Sequence, residues 1–369
     1  MTNDYFKLNA KDKENINKNM SNLVKKNISL KFDEIDSFKF PQDEPFGLQV
    51  NYNDTIYCLI VRFSSKNKNL ICAGPGAHLR NKTLENGEPY NPPYFDRWSW
   101  YKYFDESYIA YADPMILYDD EIRVGWFVGT KNEWYLETLS LILQKLIKNQ
   151  EIINENILFI GSSGGAHSSI VLATLIKHSK VLINHPQFFI LNYYKAILNQ
   201  LFKLLSHSFE GMAEQEIIQE IMPRLDVIEL FKKENYVPFI TYYLNIESEV
   251  DINNQALPFF NKIHKIKPFN GLNVVYYRQM KENPHYPLFT RRHIDIIYSY
   301  CANHLYNLNP EDTPMDYDKD LINKEKSIIN LRHENDELTE KYQNILNSSS
   351  WKITSPIRKF KHFIKRMVR

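Results

Sequence analysis

The sequence lacks most of the features that assign a protein quickly. It has three cysteines, Cys58, Cys72 and Cys301. Their number is odd and their spacings unrelated, which argues against a disulfide framework or a zinc site. No run of about 18 apolar residues occurs, so no membrane-spanning helix is expected. The 45 basic and 44 acidic residues nearly cancel, leaving a net charge of +1. Such a balance gives no global field to draw nucleic acid or a polyanion. The N-terminal MTNDYFKLNAKDKENINKNM has no apolar h-region, so no secretory leader is expected and a cytoplasmic protein is. No HExxH pair, Walker lysine or GxGxxG run is present, so no metal or cofactor is expected.

What is there is enough apolar material for a sizeable core: 43% of the 369 residues are hydrophobic and 14% aromatic. Stretches such as ISLKF, GLQVNY, TIYCLIVRF, NLICAG, YIAYADP, ILFIG, KVLINHP, VPFITYYLN and LNVVYYRQ read as strands. Helical periodicity marks 132–148, 166–178, 253–265 and 290–303. This alternation predicts a mostly parallel sheet covered by helices on both faces, three layers in all. It sets a polar segment at 1–27 and an α/β domain at 28–309, with a helical insertion at about 188–233. A linker and coiled-coil helix follow at 310–347, then a basic amphipathic tail at 348–369.

The coiled coil rests on Leu321, Ile328, Asn335 and Tyr342 at one heptad position and Lys324, Leu331, Leu338 and Ile345 at the other. Residues 321–346 would join two copies, or join this chain to a complex. A single solvated helix packed on the body is the plainer alternative. The tail WKITSPIRKFKHFIKRMVR carries seven Lys or Arg and no acid, interleaved with apolar residues. That pattern suits an anionic membrane surface against 351–369 and a peripheral place at the inner membrane face.

The chemistry centres on ILFIGSSGGAHSS. Gly161-Ser162-Ser163-Gly164-Gly165 fits Gly-x-Ser-x-Gly with Ser163 in the middle, between a strand and a helix. A serine on that strained turn is an exposed nucleophile, and the following helix directs amides at a developing oxyanion. A tight turn or a phosphate loop is the alternative. Partners are expected in the order Ser, acid, His. His285 follows the last strand and precedes the last helix, where a general base projects toward the strand ends. Asp251 is the chosen acid, with Glu247 and Glu249 as alternates in the same loop. Gly164 would donate one oxyanion amide, and Gly76 or Ala77 in AGPGAH another. His78, Ser162 and His167 are candidate substrate contacts. For His167 and His185 packing or capping is the plainer role, and His293 reads as structural. Asp113 would cap a turn through Asp-Pro.

Taken together, GSSGGAHSS, the AGPGA loop, RWSW, YADP, GWFVGT and NHPQ resemble α/β-hydrolase-like proteins of bacterial surface-polysaccharide loci. They are also similar to the serine acyl enzymes of accessory secretion systems. The resemblance covers roughly 28–303. It implies a three-layer α/β-hydrolase fold, with Ser163 as nucleophile and His285 as base of a Ser-Asp-His site. It further implies acyl chemistry, often on O-acetyl groups of a glycan or its lipid-linked precursor, as an esterase or an acyltransferase. The acid departs from the family's strand–Asn–x–x–Asp pattern, because Ser248 stands third after Asn245. SSSWKITSPIRKF after a coiled coil resembles the C-terminal ending of many glycosyltransferases and methyltransferases of polysaccharide assembly. The rival expectation is a non-catalytic scaffold of a polysaccharide-assembly complex that keeps the fold.

Overall fold

The structure is a computed structural model that describes residues 4–78, 90–280 and 283–305. The chain divides into two units, 1–307 and 308–369. The second unit, with the coiled-coil and tail expectations, lies outside the described residues.

Nine strands form one sheet: β1 (Asn27–Lys31), β2 (Phe46–Tyr52), β3 (Thr55–Arg62), β4 (Leu70–Ala73), β5 (Ser107–Tyr111), β6 (Ile157–Ser163), β7 (Lys180–Pro186), β8 (Phe239–Asn245) and β9 (Leu272–Tyr277). Their order is β1-β2-β3-β5-β4-β6-β7-β8-β9. Only β3 runs antiparallel to both of its neighbours, β2 and β5. Asn53 and Asp54, with φ of 46° and 65°, close the β2–β3 hairpin in two residues. Two left-handed residues match the twist of paired strands, and Asn and Asp adopt that conformation readily. The central strands are apolar on both faces because both faces are covered. Edge strand β1 alternates instead, with Ile28 and Leu30 buried and Ser29 and Lys31 exposed.

The helices are α1 (Ala10–Ser21), α2 (Tyr135–Asn149), α3 (Gly164–Leu175), α4 (Lys195–Ser206), α5 (Glu214–Glu220), α6 (Met222–Leu225), α7 (Val227–Glu234), α8 (Glu249–Asp251), α9 (Leu257–Ile263) and α10 (Thr290–His304). Alternate strand residues feed two separate cores. Leu70, Cys72 and Phe159 pack with α2, α3 and α7 on one face. Ile71, Ala73 and Leu158 pack with Ile16 and Met20 of α1 and Ile294 and Ile297 of α10 on the other. The polar N-terminal segment therefore contains a helix with a buried stripe. Asn9 and Asp12 close a reciprocal capping box at its start.

Strand order reverses between β4 and β6, since β4 connects to β5 on one side and the chain resumes at β6 on the other. In open parallel sheets the crevice at such a point, beyond the carboxyl ends of the strands, is where ligands bind. The loop after β4 and the turn after β6 both open there.

Candidate active site

The turn from β6 into α3 is built by close backbone approach. A Cβ at Gly161 would lie 2.1 Å from the Gly165 carbonyl oxygen, and one at Gly165 would lie 2.5 Å from the Gly74 oxygen. Neither position admits a side chain. Between them Ser163 has φ 57° and ψ −125°. A non-glycine residue there is strained, a state that persists only where the surroundings impose it. The result lifts the hydroxyl off the end of the sheet while α3 is buried along nearly its whole length.

His285 Nε2 lies 3.0 Å from Ser163 Oγ. Its Nδ1 lies 2.8 Å from one Asp251 carboxylate oxygen and 3.0 Å from the other. An ionised carboxylate only accepts, so the ring proton sits on Nδ1 and Nε2 is left to accept the serine proton. Asp251 is 3% exposed. It also accepts from Ser248 Oγ and, at 2.8 Å, from His185 Nδ1. Burial alone would raise its pKa, but hydrogen bonds from His185 and His285, with their charges, hold it well below the usual carboxylate range. His185 passes the chain on, its Nε2 accepting from the Tyr277 hydroxyl at 2.9 Å.

The placement of His185 has a backbone cause. Opposite Ser162 and Ser163 stand Asn184 and Pro186, so His185 is the extra residue of a bulge, with φ 47°. A bulge re-aims one side chain, and here it turns His185 toward Asp251. His185, Asp251 and His285 are also the described residues best placed to ligate a metal ion, with ligand-type atoms within 4.8 Å of one another. The hydrogen bonds already give every one of those atoms a partner, so the arrangement is complete as a proton-bearing chain.

Ser163 has a second neighbour. Gln187 Nε2 donates to its Oγ at 3.0 Å. The Trp126 indole donates to the Gln187 Oε1. Because an indole N–H only donates, this contact fixes which end of the amide faces the serine. With Oγ accepting from Gln187, its own proton is directed to His285. Trp126 is held in turn by Asp113. Beyond capping the turn at Met115, as its Asp-Pro setting suggests, the Asp113 carboxylate accepts from Gly125 and Phe127 amides at 3.1 and 3.0 Å. Those bonds hold Trp126 and Phe127 at positive φ, 50° and 54°. Burial pushes the Asp113 carboxyl up to about 6, despite the three amides that favour its charge.

The other candidate residues are placed as follows. Glu247 pairs with Arg278 and Glu249 is exposed, so neither alternate acid reaches His285. Residues two apart on a helix face nearly opposite ways, so an inward Asp251 puts Glu249 outward. His167 takes the packing role. It is fully buried, with ring nitrogens 2.8 Å from the Gln187 carbonyl and 3.2 Å from that of Arg224, and burial lowers its pKa to about 4. Ser162 is likewise turned inward, accepting from Arg97 at 2.8 Å and donating to Asn184. The Gly76 amide is committed to the Asp96 carboxylate at 2.7 Å. Ala77 follows in the same loop. His78 is buried and stacks on Tyr94, with ring centroids 4.6 Å apart. It lines a narrow cavity with Gly76, Val124, Trp126 and Gly164. Among the missed residues, Gln187 and His185 both sit in NHPQ at a strand end, and a polar cluster at that point was the available signal.

Strand order, elbow and crossovers define the α/β-hydrolase fold. No protein-family model and no curated protein sequence matches the chain. Among solved structures it is similar to the capsule O-acetyltransferase of Neisseria meningitidis serogroup A, at 14% identity and a TM-score of 0.48, covering 69% of this chain and 96% of that one. It is similar to a sugar hydrolase from Lactococcus lactis at 11% identity and a TM-score of 0.45, covering 71% and 100%. It is also similar to esterase 2 of Thermogutta terrifontis at 8% identity and a TM-score of 0.43, covering 68% and 91%.

Proposed function

We propose that the chain is a serine-dependent acyl hydrolase or acyltransferase. Ser163 attacks the acyl carbon, His285 takes the Oγ proton and later gives it to the departing oxygen, and Asp251 holds the imidazole in the tautomer this needs. The observation that carries the reading is the unbroken contact from Ser163 through His285 to a buried, multiply hydrogen-bonded Asp251. Gly164, first residue of α3, bears one of the amides that find no partner within a helix and lies next to the nucleophile. The motif resemblance supports an O-acyl group on a surface glycan, or on its lipid-linked precursor, as the substrate. Water or a sugar hydroxyl then takes the acyl group.

A fluorophosphonate probe tests the chemistry. Labelling of the wild type, lost in Ser163→Ala, is expected. Absent labelling of folded protein would favour the scaffold reading instead. A screen of acyl esters and acetylated glycans, with and without a sugar acceptor, separates hydrolysis from transfer. For the C-terminal segment the sequence supports contact of 351–369 with anionic membranes and association through 321–346. Deletion of 351–369 should abolish sedimentation with phosphatidylserine vesicles, and unchanged sedimentation would reject that role.

A further inference from the structure

An acyl-enzyme site needs two donors where the carbonyl oxygen becomes negative, and removal of one such donor typically lowers turnover by about 10²–10³-fold. Gly164 offers one amide. Of the two expected second donors, Gly76 spends its N–H on Asp96 at 2.7 Å, and Ala77 follows it as an exposed residue of the same loop.

A different donor stands at the spot. Gln187 is 1% exposed, and its Nε2 lies 3.0 Å from Ser163 Oγ. Its Oε1 is held by the Trp126 indole and its backbone carbonyl by His167 Nδ1 at 2.8 Å. A Cβ placed on Gly164 would lie 3.5 Å from both Gln187 Oε1 and Trp126 Nε1, so the Gln187 side-chain amide lies beside the residue that follows Ser163 and bears the first donor. Resting on the acyl-enzyme reading, we propose that Gln187 Nε2 is the second oxyanion donor, a catalytic residue supplied by a side chain from the end of β7.

The step balances as follows. Ser163 Oγ bonds to the acyl carbon, the carbonyl π pair moves onto its oxygen, and the Oγ proton passes to His285 Nε2. On collapse that pair re-forms the carbonyl, the bond to the leaving oxygen breaks, and His285 returns the proton to it. In the resting state the Gln187 N–H is directed at Oγ. Once Oγ is bonded to carbon, it is a poorer acceptor and the adjacent oxyanion a far better one. The contact thus strengthens toward the transition state, which is what acceleration requires. Trp126 and His167 fix the amide beforehand, so little reorganisation is needed at the moment of reaction.

The experiment measures p-nitrophenyl acetate turnover and inhibition by a trifluoromethyl ketone for wild type, Ser163→Ala, Gln187→Ala and Gln187→Glu. Gln187→Ala should lower kcat by about 10²–10³-fold with KM changed less than about twofold, and should raise the ketone inhibition constant by a matching factor. Gln187→Glu keeps the shape and the Trp126 contact but removes the donor, and should lose at least as much. Circular dichroism melting confirms that both variants fold. Gln187→Ala turnover within about threefold of the wild type, with Ser163→Ala inactive, would overturn the assignment. So would a kcat loss without weaker ketone inhibition, the mark of a merely structural role. If the wild type itself shows no Ser163-dependent turnover, the acyl-enzyme reading fails and the donor assignment falls with it.

Discussion

The two halves of the site are held by different means. On the serine side the backbone does the holding: Ser163 is strained at φ 57°, and Gly161 and Gly165 press against backbone atoms with no room for a Cβ. On the histidine side other side chains hold the chain: Asn245 Nδ2 donates to the Gln279 and Pro284 carbonyls, and Gln279 Nε2 to that of Pro287. Edge strand β9 leaves Asn273, Val275 and Tyr276 exposed, and His285 sits on a loop with Tyr286 and Phe289 also exposed. There a buried carboxylate fastens the ring, and Asp251 in turn is fastened by Ser248 and His185. The position of Ser163 is a property of chain geometry. The position of the His285 ring is a property of side-chain hydrogen bonds.

Perturbations should separate the two. Ser163→Ala removes the attacking atom, and ester turnover should fall by about 10⁴-fold or more with all fluorophosphonate labelling lost. Asp251→Asn leaves the fold but not the tautomer, and kcat should drop by roughly 10⁴-fold with little change in KM. That variant also has a pH signature. A carboxyl held below its unfolded value contributes stability above the ordinary carboxylate pKa and loses it as pH falls through the folded value. The wild type should therefore exceed Asp251→Asn in urea midpoint near neutral pH, and the gap should narrow below about pH 4. A gap independent of pH would mean the lowered pKa has no energetic weight.

Gly165→Ala attacks the other half. Its new methyl would meet the Gly74 oxygen at 2.5 Å, an atom that cannot swing aside. Urea unfolding should show a loss of about 2 kcal/mol, in the range for overpacked sites, with activity falling in step. A fully stable Gly165→Ala would show that the serine side is more yielding than its geometry implies. Glu249→Ala, on the exposed face of α8, should change stability by less than about 0.5 kcal/mol and turnover by less than twofold. A larger effect would mean Asp251 does not act alone as the acid.

Much of this was legible in the sequence. A strand, a small-residue turn and a helix around Ser163, followed by acid and then histidine at strand ends, point to one edge of a parallel sheet because chain order restricts where loops can meet. The apolar strands announced both covered faces. Other parts depend on contacts distant in sequence. Nothing local shows that β5 inserts between β3 and β4, or that β1 extends the sheet past β2. His185 reaches Asp251 only because of a bulge, and a bulge depends on the partner strand. Gln187 turns its Nε2 to Ser163 while Trp126, on a loop held by Asp113, takes its Oε1. Among Glu247, Glu249 and Asp251 the spacing could not decide, since the one-turn helix α8 sets which carboxylate turns inward.

The absence of space at Gly161 and Gly165 also bears on how such a molecule could change specificity. Any residue larger than glycine there would push apart the strand and helix that present the nucleophile, so variation at the elbow is closed to selection. On the proposed chemistry, new preferences would have to arise in surrounding loops that do not hold Ser163 or Gln187, such as the one after β4. Change in such a loop would leave the Ser163 hydroxyl where it is at the sheet's edge.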